Sequence, residues 1–228
     1  MIRQKIKIIF LFLKSINSYG IITSAKIIYF EIVSLILLKD IKSLSFNDDK
    51  TSSYLASKKS SKYNVPYIPT PYYFLYLIKE YLFSLNINKI NLIDIGCGYC
   101  RPAKYLSKKI FVRFSGMEIN KDIADEIIKE KNKRFKIYNF NLRNVKKTKN
   151  FFKDSFVNNL NNVLLISDTV EINLINNVLN KINYETKVTL VLINIKYRAL
   201  RIKKFKIKKK ILFKNKSRNI IFLDNIVN

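Results

Sequence analysis

A short apolar segment that ends in a glycine turn constrains the fold of this chain more than any other feature. The segment INLIDI, residues 90–95, is followed at once by GCGYCRP, residues 96–102. The whole chain has four glycines, and two of them, Gly96 and Gly98, stand in this turn. Glycine lets a backbone turn sharply and approach a ligand closely, and proline is tolerated in the first turn of a helix. The sequence therefore predicts a buried strand, a tight loop and a helix that begins near Pro102.

Strand and helix patterns alternate along the rest of the chain. Apolar segments of strand length occupy residues 111–118, 134–140, 161–167 and 187–195, and helical patterns fill residues 120–133 and 171–182. Alternation of this kind predicts a parallel sheet with helices on both faces. The basic segment from residue 204 and the apolar segment from residue 218 predict a terminal hairpin that turns near residues 215–217. The predicted fold is a doubly wound α/β domain, with a mostly parallel seven-stranded sheet and an antiparallel C-terminal hairpin.

The first part of the chain differs in composition from the rest. Residues 1–45 predict two helices with a break near Tyr19–Gly20, and a polar connector rich in serine and lysine follows them. We therefore divide the chain into a helical extension with its connector, residues 1–62, and a main domain, residues 63–228. Lysines interrupt the first apolar run and no small-residue cleavage site follows it, so the pattern indicates a helix and not a targeting signal. The two helices are expected to pack on the main domain, although lysines at both runs also suit an anionic membrane surface.

Composition excludes several kinds of chemistry. The chain has no histidine, which excludes a Ser-His-Asp triad and a zinc site with histidine ligands, and no metal is expected.

The chain is strongly basic: Lys and Arg number 43 against 16 Asp and Glu, which gives a net charge of +27. A field of that size attracts polyanions, so the sequence predicts an anionic partner, either RNA or a membrane surface. Compositional drift in an AT-rich coding sequence is the other explanation of the charge. The expected location is cytoplasmic, with a peripheral position at a membrane left open.

Two other interpretations of the glycine turn meet specific obstacles. A dinucleotide fingerprint, G-x-G-x-x-G, has its first two glycines here, but Arg101 stands in the third place. The run CGYC at a helix start is similar to a thioredoxin active site. That family also needs a proline loop downstream, and Pro102 is the last proline of this sequence.

The turn resembles the first motif of the class I, Rossmann-like S-adenosylmethionine-dependent methyltransferases. In that motif an apolar strand ends in an acidic residue, and glycine, any residue and glycine follow. LIDIGCG matches the motif at Asp94, Gly96 and Gly98, and Cys100 stands where a last glycine is common. The resemblance implies a methyltransferase with S-adenosylmethionine as cofactor. Asp94 would meet the cationic amino-acid end of the cofactor, and the two glycines would admit its flat middle.

The same resemblance assigns further cofactor contacts. Glu118, at the end of the next apolar segment, would accept hydrogen bonds from the ribose hydroxyls. Asn141 would lie near the adenine amino group, with Asn139 as the alternative. The segment YIPTP is similar to one that precedes the first strand in a subgroup of the family, which would place Tyr67 and Thr70 over the methionine end. A rigid proline linker is the alternative explanation of that segment.

The methyl acceptor is not identified by the sequence. Without histidine, Asp168 and Glu171 are the candidate general bases, because both follow the fourth strand. They could instead form a capping box at the next helix. SDTV lacks the prolines of the segment that adenine-directed enzymes use there, which argues against methylation of DNA adenine. RNA, a glycan or lipid-linked group and a protein stay open as acceptors. A non-catalytic methyltransferase-like protein, held on RNA or membrane by its basic surface, is the alternative function.

Overall fold

The fold is described from a computed structural model, over residues 13, 15–38, 70–129, 134–168, 170–181, 186–195 and 200–226. Seven strands form one sheet in the order β3-β2-β1-β4-β5-β7-β6. Their bounds are β1 Lys89–Ile95, β2 Phe111–Glu118, β3 Phe135–Asn139, β4 Asn161–Ser167, β5 Val188–Ile193, β6 Phe205–Leu212 and β7 Asn219–Asn225. The helices of the described residues include α1 Ile21–Leu38, α2 Tyr72–Ser84, α3 Arg101–Leu106, α4 Lys121–Lys129, α5 Val145–Ser155 and α6 Ile172–Lys181.

The sheet confirms the predicted architecture. Strands β1 to β5 pair in parallel, and β7 runs antiparallel to both β5 and β6. The central strands are apolar along almost their whole length because helices cover both faces of a parallel sheet. The strand order reverses between β1 and β4. In open sheets of this kind, ligands bind beyond the carboxyl ends of the strands at such a reversal.

Two helical layers enclose the sheet. Helices α2, α3 and α4 pack on one face against alternate sheet residues that include Leu92, Leu165 and Phe222. Helices α5 and α6 pack on the other face against the intervening residues, among them Ile166 and Leu192. Consecutive side chains of a strand point to opposite faces, which is why neighbouring residues of β4 belong to different layers.

Helix α1 lies outside these layers and packs on α2. The Phe30 ring contacts the rings of Tyr73 and Tyr76, at centroid distances of 5.4 and 4.8 Å. Gly20, with φ of +83°, breaks the helical path before α1, as predicted. The predicted boundary between residues 62 and 63, and the first apolar run up to residue 12, fall outside the described residues.

Helix α5 is an element that the sequence analysis does not predict. Asn144 caps it, because the Asn144 side chain accepts a hydrogen bond of 3.0 Å from the Lys147 amide. Phe151 and Phe152 pack in the core against the sheet, and the helix also carries four lysines. The cap and the paired phenylalanines were the available sequence signals.

Candidate functional site

The carboxyl ends of β1 and β2 bring two acidic side chains to the same edge of the sheet. Asp94 pairs with Gly116 in the register of the two strands, and Glu118 is the last residue of β2. The glycine loop, residues 96–100, follows β1 directly. Its first two amides, those of Gly96 and Cys97, donate hydrogen bonds of 2.8 and 3.0 Å to the Met117 carbonyl. The loop is therefore fixed to the end of β2.

Three residues of the glycine loop have left-handed backbone conformations. The φ angles are +79° at Gly96, +49° at Gly98 and +57° at Cys100. A residue with a side chain pays roughly 1–2 kcal/mol for this conformation. Cys100 thus takes the backbone geometry that a glycine would adopt at the last position of the motif, and the departure from the motif is confined to its side chain.

The Glu118 carboxylate holds the glycine loop through a backbone hydrogen bond. One oxygen accepts a hydrogen bond of 2.8 Å from the Gly98 amide, and the other accepts one of 2.8 Å from the Asn120 amide. Burial raises the pKa of Glu118, and these backbone hydrogen bonds lower it. A carboxylate has about four acceptor sites in all, so Glu118 keeps capacity for further donors, such as a pair of hydroxyl groups.

Among the described residues, no cationic side chain is paired with the buried Asp94 carboxyl group. It is 5% exposed, and burial followed by the negative charge of Glu118 raises its pKa to about 8. Within the described residues no hydrogen bond to the carboxylate offsets these two effects. A buried acid is ordinarily paired or hydrogen-bonded. The site is therefore suited to a ligand that brings a positive charge and N–H donors to Asp94.

Gly116 sits under the glycine loop with no room for a side chain. A Cβ atom there would lie 2.7 Å from the Cys97 Sγ atom and 2.8 Å from two atoms of the Phe114 ring. Close packing of β2 against the loop thus explains this third glycine.

The two cysteines of the loop are free thiols in the core. Their Sγ atoms lie 3.8 Å apart and both residues are buried. A hydrogen bond with the Cys100 thiol, together with burial, raises the pKa of the Cys97 thiol well above its ordinary value. Reactive cysteines are partly exposed and have a lowered pKa, so the geometry favours a packing role over redox chemistry.

The remaining predicted cofactor residues are only partly described. Thr70 lies two residues before α2, and its carbonyl accepts a hydrogen bond of 3.2 Å from Arg101. Tyr67 falls outside the described residues. Asn141 follows β3 in an exposed loop, where its side chain accepts a hydrogen bond from the Arg143 amide at 2.9 Å. The alternative, Asn139, donates a hydrogen bond of 2.9 Å to the Glu118 carbonyl and so joins the ends of β2 and β3.

Arg101, which directly follows the loop, connects it to the N-terminal extension. The guanidinium group is 2% exposed and donates from Nη1 to both Glu31 oxygens, at 3.0 and 2.9 Å. It also lies 4.3 Å from the centre of the Tyr72 ring. Glu31 accepts a further hydrogen bond of 2.8 Å from the Tyr72 amide. The sequence analysis missed this pair; the available signal was that Glu31 is the single acidic residue of α1.

Asp168 belongs to a second polar cluster, at the carboxyl ends of β4 and β5. Its carboxylate forms an ion pair of 3.1 Å with Arg218. Burial raises the pKa of Asp168, and the Arg218 charge lowers it. Tyr19 hydrogen-bonds the Asn194 side chain just after β5, and its ring centre lies 6.0 Å from the Arg218 guanidinium. Tyr19 and Arg218 were not singled out from the sequence, because their contacts with Asp168 and Asn194 join distant parts of the chain.

Glu171, the other candidate base, has a different cationic partner. It is exposed and forms an ion pair of 2.9 Å with Arg143. It also lines a groove of about 690 Å³ between α5 and α6, and Asp94 and Glu118 do not line that groove. Helix α6 begins at Ile172, so the residue directly before it is Glu171 and not Asp168. The capping box considered for Asp168 and Glu171 is therefore wrong.

The comparisons with known proteins concern structure alone. No family model and no curated protein matches this sequence. The Escherichia coli protein yhhF, described as a methyltransferase, superimposes with a TM-score of 0.51 at 9% identity, over 71% of this chain and 89% of that one. The fold is that of the Rossmann-like methyltransferases. The resemblance that the glycine turn indicated is thereby confirmed at the level of the fold.

Two further structures are similar at lower TM-scores. An RNA methyltransferase structure, PH1948 from Pyrococcus horikoshii, has a TM-score of 0.48 at 12% identity and covers 78% of this chain and 97% of that one. M. capricolum TrmK, solved with S-adenosylhomocysteine, has a TM-score of 0.46 at 15% identity, with 67% of each chain covered.

Proposed function

We propose that this protein is an S-adenosylmethionine-dependent methyltransferase. The observation that carries the proposal is the pair of buried carboxylates, Asp94 and Glu118, at neighbouring strand ends beside a glycine loop. Asp94 has no cationic partner in the part of the chain that the structure describes, and Glu118 holds the loop while keeping acceptor capacity. A ligand with an ammonium group and a ribose satisfies both requirements together.

The residues present fit this cofactor at several points. Asp94 would hold the ammonium group, Glu118 the ribose hydroxyls, and the bare backbone at Gly96 and Gly98 the middle of the molecule. Asn141, or Asn139 in its place, would lie toward the adenine. Tyr67 and Thr70 would cover the methionine end; Thr70 is already tied to Arg101 beside the loop.

The chain's own contribution to the reaction is to align the acceptor and to hold its proton. When bound, the cofactor supplies a methyl group that its sulfonium activates for in-line displacement. Asp168 is the candidate base, since it directly follows β4, and β4 pairs with β1, the strand that carries Asp94 next to its carboxyl end. Its ion pair with Arg218 fixes the carboxylate and favours the ionised form that accepts a proton. Glu171 stays a candidate base in the proposal, with Arg143 as its partner.

The acceptor class is open among RNA, a glycan or lipid-linked group, and a protein. The test is to incubate the protein with S-adenosylmethionine labelled in the methyl group and a cell extract separated into RNA, lipid and protein fractions. We expect label in one fraction with the wild type and much less label with the Glu118→Ala variant, at a cofactor concentration below the wild-type dissociation constant. Asp154→Ala, which changes an exposed acid on α5 that lies 4.0 Å from Lys136, is the matched control and should label normally.

The labelling experiment also distinguishes the proposed enzyme from the alternative functions. A protein that binds the cofactor yet labels no fraction would be a methyltransferase-like binding protein. Equal labelling by the wild type and the Glu118→Ala variant would show that the reaction, or the contaminant responsible for it, does not use this site.

A further inference from the structure

Helix α1 exposes a continuous apolar stripe, here called the isoleucine face, which consists of Ile22, Ala25, Tyr29, Ile32 and Ile36. The spacing of three and four residues places these side chains on one side of the helix. Ile22 is 70% exposed and Ile36 is 71% exposed. Large apolar patches on a soluble protein commonly mark a binding surface.

The opposite side of α1 is already committed to the main domain. Phe30 contacts rings of α2, and Glu31 is ion-paired with the buried Arg101. Helix α1 has the length and composition of a membrane-spanning helix. To cross a bilayer, however, it would have to withdraw Glu31 from Arg101 and from the Tyr72 amide. With these contacts in place, the isoleucine face can meet only something that comes to the surface of the protein.

Exposed lysines lie beside the N-terminal half of the isoleucine face. Lys26 is exposed on α1 itself. The loop between β6 and β7 carries exposed Lys214 and Lys216 and touches the chain just before α1, where the Asn215 amide donates a hydrogen bond of 2.9 Å to the Ser18 carbonyl. The net charge of the chain is +27. An apolar stripe with flanking lysines is complementary to an anionic bilayer, which offers a hydrocarbon boundary beneath negative headgroups.

We propose that the isoleucine face docks on the surface of an anionic phospholipid bilayer. The apolar side chains enter the boundary between headgroups and acyl chains, and the lysines lie among the headgroups. Helix α1 then lies parallel to the membrane and holds the main domain against it through the Glu31–Arg101 ion pair. The proposal does not depend on the identity of the cofactor.

A tryptophan reporter gives a direct test, because the chain contains no tryptophan. Tyr29→Trp places the reporter on the isoleucine face, and Val145→Trp places it at a similarly exposed position on α5, in the layer on the opposite face of the sheet. The probe is a vesicle of equal parts phosphatidylglycerol and phosphatidylcholine. We expect a blue shift of emission at position 29 and none at position 145, with weaker binding to pure phosphatidylcholine and at high salt.

Surface variants separate apolar docking from simple charge attraction. Ile22→Gln with Ile36→Gln keeps the net charge and should lower vesicle binding by about tenfold or more. The matched control, Ile128→Gln with Val145→Gln, removes two apolar side chains elsewhere that are also more than half exposed, and it should bind as the wild type does. S-adenosylmethionine affinity should be the same in both double variants, so a failure here is distinct from a failure of the proposed function.

Several outcomes would overturn the proposal. These are no vesicle binding by the wild type, equal losses in the two double variants, and an emission shift at position 29 that RNA produces without vesicles. A wild-type dimer that the Ile22→Gln and Ile36→Gln variant converts to a monomer would show that a second copy covers the face. A reporter at position 29 that is already shielded without vesicles would show that other segments of the chain cover it.

Discussion

At the scale of single residues, Asp94 is an acid whose surroundings disfavour its charge. Its pKa of about 8 in the folded protein exceeds the unfolded value, about 3.9. Between these values the folded state binds more protons than the unfolded state, so this group makes stability fall as pH rises. A bound ammonium group would reverse the effect by stabilising the ionised form.

This sign leads to a prediction for Asp94→Asn. Because the variant has no proton to lose at this position, its free energy of unfolding should decline less than that of the wild type from about pH 5 to about pH 8. At the upper pH the variant should be the more stable by at least about 1.4 kcal/mol, the equivalent of one pKa unit. Urea denaturation at a series of pH values measures the difference. Parallel curves for the two proteins would show that Asp94 titrates normally.

Gly116 permits a second prediction at this scale. Gly116→Ala adds a methyl group that would lie 2.7 Å from the Cys97 sulfur, so it should destabilise the protein by about 1–3 kcal/mol. Removal of that sulfur by Cys97→Ala should recover part of the loss, although the Phe114 ring still crowds the position. A double-mutant cycle monitored by thermal denaturation measures the coupling, and strictly additive losses would contradict the packing argument.

At the scale of elements, the glycine loop is held by contacts with two other elements. Strand β2 holds it through Met117 and Glu118, and α1 holds its far end through Glu31 and Arg101. The N-terminal helix is therefore part of the support of the site. Tyr19, which lies two residues before α1, belongs to the polar cluster around Asp168.

The Glu31–Arg101 ion pair gives a prediction for this support. Glu31→Gln would remove the carboxylate that pairs with the buried Arg101 guanidinium, and the expected loss of stability is about 2 kcal/mol. Glu80→Gln is the matched control, since Glu80 pairs with Lys79 at an exposed position on α2 and should change stability by less than about 0.5 kcal/mol. Chemical denaturation of both variants is the measurement. Equal stabilities would mean that α1 is not anchored by this pair.

The elements also show where sequence patterns suffice and where they do not. Strands β2 and β4 match their predicted bounds because each is a mainly apolar segment of strand length between polar turns. Helix α5 is missed because its buried face has only two apolar residues, Phe151 and Phe152, beside Thr148 and Ser155, in a segment rich in lysine. Asp94 and Glu118 follow from a local motif, whereas Arg218 and Tyr19 reach their partners only after the sheet has formed.

At the scale of the whole molecule, helix α1 connects the candidate cofactor site to the isoleucine face. One side of the helix contacts Arg101 beside the glycine loop, and the other side carries the isoleucine face. The inner side of α1 supports the loop through Arg101, and its outer side is exposed in the described part of the chain. The alternation of strand and helix patterns in the sequence was enough to predict a sheet with a helical layer on each face. The position of α1 on that framework was not predictable, because an ion pair between residues 31 and 101 leaves no periodic trace in the sequence.

The central claim is that two converging carboxylates beside a bare backbone bind S-adenosylmethionine. Calorimetric titration of the cofactor into the wild type, Asp94→Ala and Glu118→Ala proteins tests it most directly. We predict saturable binding at one site in the wild type and an affinity lower by about tenfold or more, about 1.4 kcal/mol, in each variant. Absence of binding by the folded wild type, or one dissociation constant shared by all three proteins, would contradict the claim.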